Sequence, residues 1–384
     1  MMIRTEVSRF ILLSVAMLTG VCVWNMSARV PQPARRASVQ THLATNATDP
    51  PPTNALYRTT RLPPAGLHDQ GLAPLTRWAQ AEIHRRMNPA NCSAARFLLT
   101  EGNAGSGVGS SLHVIGAHLA HAIQGGLVLA WGRGSCRYVP GGATGSCGRF
   151  FLPITDCPAD VVARNAVGSI EGHLAYQHLV PDDFRRAIEP VLRTRGEEIL
   201  YWWRAQSAGY LARLNAGTMA SVRARRRREP AVPAGTISAH IRHGDKHREM
   251  RLVEPAVYME AAERLAQLQP LSFGARTYFV TSDSASAINT SRALASRGGW
   301  AFVASDIPRG RDGFVMKEWK AATANTSMHD HLLQLLMALE ADAWVGTRGS
   351  NWNRLIDELR CVWVDKCAHV YVEVGDVRGG DYVW

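Results

Sequence analysis

Apolar residues return at helical spacing over Ala73–Met87 and again over Leu112–Ile123, and between them Arg96–Leu99 is an apolar run of strand length. The second helical pattern stops at Gly125-Gly126, and Leu127–Trp131 follows as another buried strand. Strand, glycine-rich turn (Gly102–Gly109), helix and strand make a unit of the parallel α/β kind. Cys136–Cys147 is a glycine-rich loop, and Pro181–Asn215 is helical in pattern. After Pro230, Pro233 and Gly235, which mark a domain boundary, the rhythm returns. Strands over Thr236–Ile241, Thr277–Thr281, Ala301–Ala304 and Ala343–Gly346 alternate with helices over Pro255–Gln267, Ser284–Ser296, His331–Glu340 and Asn351–Leu359. Val362–Val364 and Val370–Val374 read as short closing strands. The alternation predicts a doubly wound parallel sheet whose ligand lies beyond the C-terminal ends of its strands.

The N-terminus carries a different pattern. Met1–Arg9 is short and basic, and Phe10–Trp24 is apolar without a charge, so it enters a membrane. Its length, about 15 residues, is short of the ~20 that span a bilayer, and a signal-peptide core competes with a signal anchor. A polar, Pro-rich stretch over Val30–Pro64 without an A-x-A cleavage site favours the anchor. The 384 residues then divide into a cytoplasmic tail (1–9), an anchor (10–24), a Pro-rich stem (25–75), an N-terminal α/β domain (76–232) and a C-terminal domain (233–384).

Charge and cysteines refine this. Much of the excess of +11 sits in the run Arg223–Arg228, which has no aromatic interleaving and reads as a solvated segment leading into a linker; no nucleic-acid partner is expected. Cys22 lies in the apolar run, and the other six cysteines form an even set that an oxidising lumen would pair. The triplets at Asn25, Asn46, Asn91, Asn289 and Asn325 are compatible with glycosylation there.

Three strand-to-helix loops carry candidate chemistry: His240-Ile241-Arg242-His243-Gly244-Asp245-Lys246, Thr281-Ser282-Asp283, and Gly346-Thr347-Arg348-Gly349-Ser350-Asn351. A diphosphate needs a forked cation and backbone amides at a helix N-terminus. Arg242 supplies the fork, and Ser350 with Asn351 opens a helix. Taken singly, Arg242 with Asp245 is equally a surface ion pair, and Ser350 with Asn351 a plain helix cap. Together at one sheet edge they indicate a phosphate or nucleotide-sugar site. His113, His118 and His121 do not have the spacing of a metal trio and read as packing, as do Trp202 and Trp203.

Six short motifs in one order resemble the α-1,6-fucosyltransferase family of core-fucose enzymes and their rhizobial nodulation relatives. They are Asn88-Pro89-x-x-Cys92; the glycines Gly105, Gly107 and Gly109 before Leu112-His113; Arg137-Tyr138 with Gly141-Gly142; Trp202-Trp203 with Gln206, Tyr210, Leu211 and Arg213; His240-x-Arg242 with Asp245-Lys246; and Ala341-Asp342 with Ser350 and Arg354. The resemblance runs from about Asn88 to Gly380.

It implies a GT-B-like fold, an open α/β domain before a Rossmann-like domain that holds GDP, and inverting, metal-independent transfer of fucose from GDP-fucose to a glycan hydroxyl, without a cofactor. Arg242 would grip the β-phosphate, with Ser350, Asn351 and Arg354 beside it. His240 and Asp342 would read guanine, Asp245 and Asp283 would lie near the nucleotide, and Tyr138, Gly107 and Gly109 would close over the diphosphate. Glu249, oriented by Lys246, would be the catalytic base, with Glu254 as the alternative. The implied acceptor is N-glycan core GlcNAc, and the implied place a Golgi membrane crossed once, with the catalytic domain luminal. Another GDP-sugar transferase, such as a protein O-fucosyltransferase, and a catalytically silent luminal binder are the competing readings. The surviving family disulfide would be Cys92–Cys157, leaving Cys136–Cys147 and Cys361–Cys367. Set beside the animal enzymes, the sequence is expected to fold without their coiled-coil stem and C-terminal SH3-like domain, the parts that help choose the acceptor there.

Overall fold

A computed structural model describes residues 74–102, 107–136, 146–174, 179–192, 196–313, 324–366 and 370–375. All belong to one compact unit. The tail, anchor and nearly all of the stem lie outside the described residues. Among the described residues no helix is long and apolar enough to cross a membrane.

The first half contains α1 (Pro74–Met87), β1 (Phe97–Gly102), α2 (Val108–Gln124), β2 (Val128–Trp131), α3 (Ala159–Arg164), β3 (Ala166–Glu171), α4 (Asp182–Leu192), α5 (Gly196–Leu211) and α6 (Ala216–Arg226). The second contains β4 (Thr236–Ile241), α7 (Pro255–Leu268), α8 (Pro270–Phe273), β5 (Thr277–Ser282), α9 (Ala285–Arg297), β6 (Ala301–Val303), α10 (Ala324–Glu340), β7 (Ala343–Gly346), α11 (Asn351–Val364) and β8 (Tyr371–Glu373).

The strands form two parallel sheets, ordered β2-β1-β3 and β6-β5-β4-β7-β8. This is the α/β class that the alternation predicts. In the larger sheet the chain runs from β4 to β5 and β6 on one side, then returns to place β7 and β8 on the other. The turn of direction falls between β4 and β7, the place where sheets of this kind hold a ligand beyond the strand ends. Every residue of β4 and β5 is buried, as expected for strands covered by helices on both faces.

One hydrophobic cluster joins the first sheet and α5 to α10 and α11, while a second fills the space between the larger sheet and α7 and α9. Helix α11 is therefore packed on two sides. Gly209 of α5 lets the two helices approach at Val362, and the Trp363 indole donates to the Gly209 carbonyl at 3.0 Å.

Several local expectations are corrected. Val362–Val364 is the last turn of α11 rather than a strand, because its apolar side chains bury into the shared core. Pro181–Asn215 holds two helices, α4 and α5. The arginine run is not simply a solvated linker: it ends α6, and Arg225 pairs with Asp330 and Arg226 with Glu340 at 2.6 Å, both partners on α10. Cys92–Cys157 and Cys136–Cys147 are disulfides, with Cα separations of 5.6 and 4.7 Å. Cys361 is also disulfide-bonded; Cys367 lies outside the described residues. Trp203 and His118 are buried, as the packing reading expects.

Candidate functional site

The site forms beyond β4, where Gly244, at φ 61°, turns the chain into a tight helical turn over Gly244–Arg248. Side chains three residues apart eclipse one another in such a turn. Lys246 accordingly meets Glu249 at the end of the turn, and Arg242, which precedes it, meets Asp245. Arg242 also donates to Asp283 after β5 and to the His243 carbonyl at 2.6 Å, while Asp283 accepts the His243 amide at 3.2 Å. The guanidinium is thus held in place at the strand ends. Its Nε–H and one Nη2–H have no acceptor among the described residues, and these are donors a ligand can take.

Lys246 and Glu249 are unequal partners. The lysine side chain is 7% exposed and the glutamate 61%. Burial pushes the lysine pKa down, against the pull of Glu249. A buried ammonium therefore anchors a carboxylate that faces solvent, the placement a base needs to meet an incoming hydroxyl. Glu254, also exposed, stands at the start of α7 without a capping bond from its side chain.

The turn after β7 brings the start of α11 to the same edge. Ser350 occupies the N-cap with extended backbone but its side chain caps nothing. The first intrahelical bond is Arg354 N–H to the Ser350 carbonyl at 3.1 Å, so the preceding amides of Asn351, Trp352 and Asn353 have no acceptor within the helix. Such amides, with the helix dipole behind them, favour an anion. Asn353 Nδ2 donates to the His240 carbonyl at 3.2 Å, fastening the helix start to β4 two residues before Arg242.

His240 is 6% exposed. Its Nδ1 lies 2.9 Å from Thr281 Oγ1, which itself donates to the Ala239 carbonyl at 3.4 Å, so the imidazole donates through Nδ1. Nε2 is buried and has no partner among the described residues. Burial first, then Arg242 and His331, pushes the His240 pKa down to about 3, leaving a neutral ring with an unused acceptor. The Trp352 indole stands beside it, 6.5 Å between ring centroids, with His331 edge-on to the same indole at 5.9 Å.

From the first half, Gly107 caps α2 and Gly109 touches the backbone of Asn351 and Trp352. His113 of α2 reaches Asn351 Oδ1 at 3.0 Å, and Arg354 Nη1 reaches the same oxygen at 3.2 Å. The structure thus brings His240, Arg242, Asp245, Lys246, Glu249, Asp283, Ser350, Asn351, Arg354, Gly107 and Gly109 to one region. Tyr138 lies outside the described residues.

Asp342 is the exception. It precedes β7, and its N–H bonds the Thr236 carbonyl at the start of β4. Six residues of strand, about 20 Å at 3.3 Å each, separate that end from Arg242. Its carboxylate accepts Gly235 N–H at 2.8 Å and lies 3.3 Å from the buried Lys366 ammonium. Asp342 therefore fastens the opposite edge of the sheet and does not share the site with His240. Trp352, His331, Asn353 and Glu358 escape the sequence reading, and His113, read there as packing, reaches Asn351 and Glu358 instead. His113 and Glu358 are 245 residues apart and no local spacing connects them.

No family model matches the chain, and no curated protein matches it. Solved structures do. It is similar to fucosyltransferase NodZ from Bradyrhizobium, at 15% identity over 68% of this chain and 92% of that one, TM-score 0.39. It is also similar to an Arabidopsis thaliana FUT1 variant in complex with GDP (8% identity, 75% of this chain and 78% of that one, TM-score 0.44). A third likeness is to POFUT1 in complex with GDP (11%, 69% and 94%, TM-score 0.38).

Proposed function

We propose that this chain is a glycosyltransferase that moves fucose from GDP-fucose to a glycan hydroxyl, with inversion and without a metal ion. One observation carries the reading: a guanidinium with donors unused among the described residues, helix-start amides with no acceptor within their helix, and a lysine-anchored carboxylate share the C-terminal edge of a parallel sheet at its switch point. A site that only held a nucleotide would have no use for Glu249.

In the proposed reaction the bond from fucose C1 to the β-phosphate oxygen breaks, and its electron pair leaves with GDP. The acceptor oxygen bonds C1 from the opposite face, and its proton passes to Glu249. Arg242 and the amides of Asn351 and Trp352 meet the charge that grows on the departing diphosphate, the task a metal performs elsewhere. Lys246 holds the base in place. His240, with its vacant Nε2 acceptor, and Trp352 beside it would receive the nucleobase.

The finer assignment is the 6-hydroxyl of N-glycan core GlcNAc, supported by the six ordered sequence motifs. A protein O-fucosyltransferase type of acceptor is the alternative. The luminal Golgi placement, with a single anchor over residues 10–24, rests on the N-terminal apolar run.

The test is transfer of labelled fucose from GDP-fucose to a panel of N-glycans and folded protein acceptors, with chelator present. Transfer lost in Arg242→Ala and Glu249→Gln supports the proposal, and the acceptor used decides the linkage. A folded wild-type chain that neither binds GDP nor turns over GDP-fucose would refute it.

A further inference from the structure

One side chain joins the first turns of the two helices that meet at the site. His113 of α2 places Nδ1 3.0 Å from Asn351 Oδ1 and Nε2 2.9 Å from Glu358 Oε2. Because Arg354 Nη1 donates to Asn351 Oδ1 at 3.2 Å, the atom facing His113 is an oxygen, and Nδ1 must be a donor. On the other side of the ring the Glu358 carboxyl is 0% exposed, and one proton lies between it and Nε2. Glu358 Oε1 has no hydrogen-bond partner among the described residues, so His113 supplies the hydrogen bond to this buried acid, with the Arg204 charge nearby. Asn351 and Glu358 stand seven residues apart, two turns along one face of α11.

The position of Asn351 matters because its amide and that of Trp352 open α11, and a second group beside them, separate from the helix end, awaits a ligand. His240, 6% exposed, leaves Nε2 unpartnered among the described residues beside the Trp352 indole. A Cβ on Gly109 would stand 3.0 to 3.2 Å from the backbone of Asn351 and Trp352, so the glycine sets how close the two helix starts can stand. It leaves the Asn351 side chain free to turn. His113 and Arg354 remove that freedom from two sides.

We propose that His113 is a positioning residue for diphosphate binding: a bridge from the Asn351 side chain to a buried carboxylate, which holds the first amides of α11 in the orientation that receives phosphate oxygens. The inference rests on the donor reading above. It acts on the diphosphate and not on the nucleobase, since His113 holds Asn351 at the helix start, whereas the His240 ring is held by Thr281.

The experiment compares GDP and guanosine binding by calorimetry on the whole chain for wild type, His113→Gln and His113→Asn. Gln keeps a donor near Nε2 for Glu358 and so protects the fold while removing the donor to Asn351. Asn keeps a donor near Nδ1 and gives up Glu358. His113→Gln is expected to weaken GDP about tenfold, the equivalent of one lost hydrogen bond, and to leave guanosine unchanged within about twofold. In turnover the donor KM rises more than kcat falls. His113→Asn keeps GDP affinity near wild type with a lower melting temperature. A His113→Gln variant that binds GDP as wild type does, or that loses guanosine and GDP equally, overturns the inference alone. A wild-type chain that binds no GDP overturns the donor reading and the inference with it.

Discussion

Gly109 and Asn351 meet backbone to backbone: a Cβ on the glycine would stand 3.0 Å from the Asn351 carbonyl oxygen and 3.2 Å from the Trp352 amide nitrogen. The neighbours are main chain, so neither can swing aside. Gly109→Ala should therefore cost stability by about 1 to 3 kcal/mol, despite alanine's higher helix propensity, and should weaken GDP as the α11 start is pushed back. Gly107→Ala, with nothing within 4 Å of its Cβ, should lower the melting temperature less. Equal melting temperatures for Gly109→Ala and wild type would remove the contact from the account.

Arg242 answers two carboxylates, Asp245 and Asp283, before any ligand arrives. Arg242→Lys keeps a charge but loses the fork, and kcat/KM for GDP-fucose is expected to fall about 10²- to 10³-fold. Steady-state kinetics on Arg242→Lys decide this; a loss under threefold would deny the guanidinium its role.

Glu249 is 61% exposed but pairs with the buried Lys246 ammonium, so Glu249→Gln should cost stability by about 1 to 3 kcal/mol and still leave a folded chain. Removing the base should nonetheless lower kcat by about 10²- to 10⁴-fold. Glu254→Gln is expected to retain the wild-type rate. The reverse pattern in the two variants would move the base to Glu254.

Acid should loosen the fold through two buried histidines. His118, bonded to Thr100 Oγ1 at 2.7 Å and the Gly172 carbonyl at 2.9 Å, has its pKa pushed down to about 4, chiefly by burial, and His240 is held at about 3. Unfolded, each takes up a proton as pH falls through about 6.5. Below that value the unfolded chain binds protons that the folded chain refuses, so stability present above pH 6.5 is lost on acidification. Each histidine should cost about 1.4 kcal/mol per pH unit until its folded pKa is approached. Urea unfolding of wild type and His118→Gln at neutral pH and one unit below 6.5 measures the slope, which must be shallower in the variant.

Asp342 holds Gly235 and Lys366 at the far edge of the sheet. Asp342→Asn should destabilise by about 1 to 3 kcal/mol, since a buried ammonium loses its carboxylate, and should leave the preference for GDP over other nucleoside diphosphates intact. Loss of that preference at unchanged stability would return Asp342 to the nucleobase.

The central strands β4, β5 and β7 were legible because every residue of each is buried, and strand-length segments such as Thr236–Ile241 and Thr277–Thr281 leave a signal without any knowledge of neighbours. β3 gave none. It is largely exposed, and its Ala-Val-Gly-Ser-Ile-Glu sequence neither alternates nor runs apolar. Val362–Val364 misled for the opposite reason: β-branched residues suggest a strand, and packing against Gly209 keeps them helical.

The loops that carry Arg242, Lys246, Glu249, Asp283, Ser350 and Asn351 follow from the chain alone, because an alternating α/β pattern places each at a strand's C-terminal end. Which end of β7 a residue occupies is read from the same pattern, yet a motif match assigned Asp342 to the base, and only its bond to Gly235 puts it at the other edge. The contacts that join α2 to α11 belong to tertiary structure entirely. His113 meets Asn351 and Glu358 across more than 200 residues, a meeting that chain folding produces and local periodicity does not encode.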